Sequence, residues 1–499
     1  MHTVGIIAEY NPFHTGHEYH LKKAKELSDA DYAVVVMSPD FVQRGEPAIF
    51  DKYTRAEMAL RSGADVVIEL PICYATGSAE YFAEGAVRML DALGVVDALS
   101  FGTEDPSGEG TPFIRLASFL LDEPEGFQEL LRDGLRRGLT WPQARAAAVS
   151  EYFQASQSNT GKEISAPQSD TGKEISALQS NAGKEISALQ SDIEKKIPAL
   201  LSSPNNILGV EYCKALRKIG SPISPIPLSR KGSQYSDLTV DGEYCSASAL
   251  RRVIRTGTDT QNRVNPNPQN FPEPGARNRS EPDTKNCPHP GMPNYPSADA
   301  PQDPLYSYIP AGCAGLFAAA RQAPIFADDL LPFLTQKLIY AENPGRPAQV
   351  CPDEILDISS DFSERIMGLR FSCIGKSFDE TVTLLKTRQI TETHIRRALL
   401  HLILDIRKAD MESYQKNGYL FYAHLLGFRR ESAPLLHEIK KRSALPLISK
   451  AAHASKSLSG TGLSMWNQDA AASHLYRSLM AARYGIPFRT EYEISPIVL

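Results

Sequence analysis

Three histidines crowd one short stretch near the start of the chain, Asn11-Pro12-Phe13-His14-Thr15-Gly16-His17-Glu18-Tyr19-His20. Imidazole is the side chain best matched to hydrogen bonding and proton exchange near neutral pH. The apolar run Val4 to Tyr10 reads as a strand, Pro12 marks a turn, and Gly16 opens a helix. His14 then falls in the strand-to-helix loop and His17 in the first helical turn. Free N–H groups at a helix start favour an anion, and Gly16 lets a phosphate approach the backbone. Two imidazoles there can donate to a phosphoryl group as charge builds up at an α-phosphorus. A metal site made from His14, His17 and His20 is a second reading, although no nearby Cys or carboxylate completes a usual zinc set. A structural role at the turn is a third.

The elements that must hold these side chains alternate in type. Strand-like runs recur at Tyr32 to Ser38, Asp65 to Pro71 and Ala98 to Phe101. Helical spacing of apolar residues covers Gly16 to Ser28, Lys52 to Ser62 and Ala79 to Leu93. Short buried strands joined by single helices predict an α/β fold with a parallel sheet. Ligands of such sheets bind at the carboxyl ends of the strands, which is where the histidine loop lies.

Composition narrows the class. Of 499 residues, 42% are hydrophobic and 22% charged, enough apolar surface for a real core. The length predicts two or three domains. A net charge of -6 gives no global attraction to nucleic acid, so any polyanion must meet a local basic patch. The seven cysteines form no C-x-x-C pair, which argues against a disulfide framework or structural zinc. No apolar run has the roughly 18 to 20 residues of a membrane helix, and the N-terminus carries no leader signal. Together these predict a soluble cytoplasmic protein with no membrane partner.

Two segments break the pattern. From Gln157 an 11-residue motif repeats with copies at Gln168, Gln179 and Gln190, predicting a frayed polar insert over 157–200. Residues 257–304 hold 11 of the 35 prolines and predict a disordered linker, bounded at 256–304 as a domain. Beyond Leu305 strand signals fade, and helices are expected at Ser377 to Thr387, Thr391 to Lys408 and Tyr419 to Gly427. Lys386 to Arg397 carries four cations and one acid, a candidate phosphate-binding face. Gly427-Phe-Arg-Arg430 and Lys440-Lys-Arg442 add two more basic spots. An ordinary solvated helix face is the competing reading.

The string Gly5-Ile-Ile-Ala-Glu-Tyr-Asn-Pro-Phe-His-Thr-Gly-His-Glu-Tyr-His20 resembles the bacterial tRNA(Met) cytidine acetate ligase family, within the HxGH nucleotidyltransferase superfamily. Further similar blocks are Met37 to Ala48, Asp51 to Glu57, Val67 to Pro71, Phe101 to Glu104, Pro204 to Gly209, Ser229 to Gly232 and Ser246 to Arg251. The resemblance implies a Rossmann-like nucleotidyltransferase domain over 1–255 and a helical, tRNA-binding region over 305–499. It implies ATP as cofactor with Mg²⁺, and acetate and elongator tRNA(Met) as partners. The implied reaction makes N4-acetylcytidine at the wobble position through acetyl-adenylate.

Residue by residue, the resemblance implies His14 and His17 as catalytic groups. The implied ATP site is Ile7, Ala8, Glu9, Tyr10, Asn11, Pro12, Phe13, His14, Thr15, Gly16, His17, Glu18, Tyr19 and His20, with Gly102, Asn205 and Arg230. Gly102 leaves room for base or ribose, Asn205 can pair with a polar edge, and Arg230 offers a forked cation to phosphate. Their bland readings are a turn residue, a helix cap and a surface charge. Gln43, Arg44, Lys52, Arg251, Arg388, Arg396 and Arg397 are candidate phosphate or RNA contacts. Pro39, Ser236 and the stretch Gln389 to His394 depart from the family pattern, which predicts a weaker RNA face. The alternatives are an adenylyltransferase acting on a small cofactor precursor and a non-catalytic nucleotide- or RNA-binding protein.

Overall fold

The first strand, β1 (Thr3–Ala8), is an apolar run flanked on both sides by parallel neighbours. In the computed structural model, which describes residues 1–105, 107–159, 197–201, 203–230, 245–264, 303–341 and 351–499, β1 leads into helix α1 (Thr15–Ser28). The chain continues through β2 (Tyr32–Met37), a small hairpin of β3 (Phe41–Val42) and β4 (Glu46–Pro47), α2 (Lys52–Arg61) and β5 (Val66–Glu69). Then follow α3 (Ile72–Ala75), α4 (Ala79–Ala92) and β6 (Ala98–Thr103). After α5 (Thr111–Asp122), α6 (Glu125–Arg136), α7 (Trp141–Asn159) and the helix Pro204–Ile219 comes β7 (Ser224–Ser229).

The main sheet runs β10-β8-β5-β2-β1-β6-β7, with β9 (Leu447–Ile448) beside β8 (Ala423–Phe428) and β10 (Ile497–Val498) at the edge. All neighbouring pairs are parallel except β5 with β8. The order reverses around β1, whose neighbours β2 and β6 lie on opposite sides, so the crevice for a ligand opens between the ends of β1 and β6.

Residues after 305 therefore add strands to the same sheet, across the boundary expected there. Tyr419 to Gly427, expected as a helix, contains β8 instead. The run is short and apolar except for His424, a pattern that periodicity cannot assign, and β8 is buried between β5 and β10. Thr391 to Lys408 is likewise two helices, Glu392–Leu404 and Lys408–Lys416, parted at Asp405, which takes a left-handed φ of 55°. The start of the linker expected from Gly257 is helical instead, because helix Ala247–Val264 runs through that point. The rest of the 11-residue repeat and of the proline-rich stretch lies outside the described residues.

The added C-terminal strands seal α2, in which every residue from Lys52 to Leu60 is buried. That corrects one expectation. Lys52 is not a phosphate or RNA contact, because its Nζ is enclosed by Glu69 (2.7 Å), Glu491 (2.8 Å) and the Ser473 hydroxyl (2.9 Å).

Candidate active site

His14 caps α1: its Nδ1 accepts from the Gly16 N–H at 3.0 Å, and its backbone N–H donates to Nδ1 of His17 at 3.3 Å. Both rings thus use Nδ1 as an acceptor, so the neutral forms carry their proton on Nε2. The ring centroids are 3.8 Å apart, and Tyr10 meets His17 edge-on at 4.9 Å. Helix capping and presentation of two adjacent Nε2–H donors are one and the same arrangement.

The surroundings keep these rings uncharged. Burial, then Arg230 and Arg251, push His14 down to about 3. Burial and Arg230 bring His20 to about 4, and its Nε2 lies 3.1 Å from the Ser100 hydroxyl on β6. His17 is lowered by burial, then by His14, Arg230 and His20. One guanidinium, Arg230, acts on all three imidazoles. Arg230 follows β7 directly, with its backbone N–H donating to the Thr103 carbonyl at 3.0 Å.

These groups line a cavity of about 220 Å³ at the switch between β1 and β6. Of the expected ATP-site residues, Ile7 to Asn11, His14, Gly16, His17, Tyr19, His20, Gly102, Asn205 and Arg230 line it, as do Gln43, Arg44 and Arg251. Pro12, Phe13, Thr15 and Glu18 do not. Phe13 is core beneath Tyr10, and Glu18 pairs with Lys22 at 2.9 Å. A Cβ on Gly102 would stand 3.5 Å from Arg230 Cγ, so the missing side chain leaves space beside that arginine.

Asn205 is not the cap of its helix; Ser203 holds that position. The Asn205 amide donates to Glu104 at 2.5 Å, and Glu104 also accepts from the Ser203 hydroxyl at 2.8 Å. With its NH₂ so engaged, Asn205 keeps its Oδ1 as an acceptor for a ligand. On the opposite wall Ser246 caps the helix Ala247–Val264, while the Ser248 hydroxyl accepts from Arg44 and Arg251, each at 3.2 Å. Ser246, a capping residue type directly before an amphipathic run, is a signal in the sequence for the start of this helix. Phe82 and Tyr212, also in the lining, read as ordinary core positions and gave no signal.

A second, larger cavity of about 610 Å³ adjoins the first and shares Gln43, Arg44, Leu208 and Arg251 with it. Its walls add Arg252, Arg255, Arg396 and Arg397. Gly45, at φ 76°, makes this wall possible, since a Cβ there would lie 2.4 Å from the Arg396 carbonyl carbon. Arg396 pairs with Asp379, and Arg397 with Asp357 at 2.9 Å. Arg388 lies apart from both cavities, exposed beside Gly138. Among the described residues the one group with metal-ligand spacing is Glu69, His424 and Glu491, and Lys52 Nζ stands against both of its carboxylates.

A sheet with this strand order, carrying paired histidines between its first strand and first helix, has the nucleotidyltransferase α/β fold. The family described as HIGH Nucleotidyl Transferase matches residues 1–486. A protein of Thermoanaerobacter sp. (strain X514) named tRNA(Met) cytidine acetate ligase is 33% identical over 480 residues, 95% of each chain. The protein of that name from Clostridium perfringens (strain ATCC 13124) is 32% identical over the full length of both chains. The crystal structure of Thermotoga maritima TmcAL bound with alpha-thio ATP superposes across both whole chains with a TM-score of 0.75 at 27% identity. This chain belongs to the tRNA(Met) cytidine acetate ligase family and is an enzyme of the ligase class. No described helix is long and apolar enough to cross a membrane.

Proposed function

We propose that the protein joins acetate to the N4 amine of the wobble cytidine of elongator tRNA(Met), at the expense of ATP. In the first step an acetate oxygen attacks the α-phosphorus, the bond to the β-phosphate breaks, and pyrophosphate leaves. In the second the cytidine amine attacks the acyl carbon and AMP departs. The observation that carries the reading is the matched pair of Nε2–H donors on His14 and His17, facing a cavity with Arg230 and Arg251. Neutral, preorganised donors stabilise charge that develops on the α-phosphate in the transition state.

The pocket lining fits Mg²⁺ brought in by the nucleotide better than Mg²⁺ held by the protein. Among the described residues Glu9 is its one carboxylate, and Mg²⁺ usually binds chiefly through substrate phosphates and water. When bound, it would supply charge neutralisation on the leaving pyrophosphate.

The arginine-lined cavity supports RNA as the second substrate, because it opens onto the ATP pocket through a shared wall. The helices beyond residue 305, with Arg396 on that wall, would form the rest of the RNA face. A cytoplasmic setting goes with such a substrate.

Acetate-dependent exchange of labelled pyrophosphate into ATP, without RNA, tests the first step. Acetylation of tRNA(Met) transcripts with cytidine or uridine at the wobble position tests the second. An adenylyltransferase acting on a small cofactor precursor would show neither.

A further inference from the structure

Among the described residues the ATP cavity contains one carboxylate, and the adenylation step does not use it. Glu9 follows β1 directly and lines the cavity on the side of Gln43 and Arg44, two of the four residues that also line the arginine-rich groove. Its Oε1 accepts from the Gln43 N–H at 3.0 Å, which anchors the carboxylate at the seam between the two cavities. A substrate base entering through the groove meets the nucleotide site at this seam.

The amine of cytidine is a weak nucleophile because its lone pair is delocalised into the ring. When it attacks an acyl carbon, its nitrogen becomes acidic and must lose a proton. Among the described residues the other ionisable groups lining the pocket are less suited to take it; His20 has its Nε2 on the Ser100 hydroxyl at 3.1 Å and is brought down to about 4. His14 and His17 use Nδ1 for backbone N–H groups and carry hydrogen on Nε2, and Arg44, Arg230 and Arg251 are cations. We propose that Glu9 is the general base of acetyl transfer, a role that rests on the two-step ligase reading. As the N4–C bond forms and the C–O bond to AMP breaks, the N4 proton passes to the Glu9 carboxylate.

Among the described residues the charged groups that act on Glu9 come from three elements. Arg44 and Glu46 come from the β3–β4 hairpin, Arg251 from helix Ala247–Val264, and Arg55 of α2 donates to the Glu9 carbonyl at 2.5 Å. Burial raises the carboxyl above its ordinary value, with Arg44, Arg251 and the Gln43 N–H opposing. A base of raised proton affinity is the more effective one near neutral pH.

The test uses the full chain with Glu9→Gln, which keeps an oxygen acceptor for the Gln43 N–H. Acetate-dependent pyrophosphate exchange reports the first step. Hydroxylamine, a stronger nucleophile than a cytosine amine, reports acetyl-adenylate that is formed and open to attack. Acetyl transfer to tRNA reports the second step. Exchange and hydroxamate formation should each keep at least about a tenth of their rate, while transfer falls about 10²- to 10⁴-fold. In the unmodified protein transfer should rise with pH and level off as Glu9 loses its proton; in Glu9→Gln that rise should vanish.

Equal losses in all three assays would overturn the proposal and assign Glu9 to ATP binding. An unaltered pH profile in the variant would overturn it too, as would a raised Mg²⁺ requirement for exchange. If the unmodified protein showed no acetate-dependent exchange, the ligase reading itself would fail, a result the variant cannot mimic.

Discussion

Lys52 Nζ lies 2.8 Å from Glu491 Oε1, with both side chains in the interior, so the start of α2 is tied to the end of the chain. Arg477 and the Tyr53 hydroxyl complete the carboxylate's partners. Removing one member of a buried pair typically costs about 3–5 kcal/mol, because a charge is left uncompensated; here Arg477 loses its carboxylate, while Lys52 keeps Glu69 at 2.7 Å. Glu491→Gln should therefore lower stability to denaturant by several kcal/mol. An unchanged unfolding midpoint would mean that the pair carries little.

The same pair sets an acid limit. Burial raises Glu491, but Lys52 and Arg477 outweigh it and hold the carboxyl at about 2. An unfolded glutamate titrates near ~4.3, so this contribution is present above that pH and disappears as pH falls toward 2. Denaturant titrations at steps from pH 6 to pH 2 should show the loss, with a shallower slope in Glu491→Gln.

His14 adds a second pH dependence at higher pH. Its folded-state value of about 3 lies below the ~6.5 of an unfolded histidine, so the unfolded chain binds the proton first and stability falls as pH drops from ~6.5 toward 3. His14→Asn keeps a capping oxygen for the Gly16 N–H. It should flatten the slope between pH 7 and 5 while abolishing adenylation. A variant whose slope matched the parent's would show that His14 does not titrate as its burial requires.

His17→Ala removes one of the two Nε2–H donors. Losing one preorganised donor commonly costs about 10²- to 10³-fold in rate. Acetate-dependent pyrophosphate exchange should fall by that amount, with or without RNA. A loss under about tenfold would place the transition-state charge elsewhere.

The groove makes a separate claim on salt. Arg252→Ala and Arg255→Ala should each weaken tRNA binding and reduce its log–log salt slope by about one, the signature of one lost phosphate contact. Arg388→Ala, away from both cavities, should leave that slope alone. Binding titrations between low and moderate salt decide the matter; a smaller slope for Arg388→Ala than for Arg255→Ala would move the RNA path.

Local signals were enough for most elements of the first hundred residues. Alternating apolar runs and helical spacing mark β1, α1, β2, α2, β5, α4 and β6, because each buries one consistent face or run in a parallel sheet. His14 and His17 were legible as a pair because the strand, the turn and the helix start that hold them are contiguous in sequence. Other facts depend on residues far apart in the chain. β8 reads locally as helix and becomes a strand only because β5 offers it an unpaired edge. Lys52 looks like an exposed cation until Glu69 and Glu491 close over it, and Arg396 joins the groove only because Gly45 packs against its backbone. Sequence fixes what a short segment can do alone; burial and charge compensation across the chain decide which of those options survives.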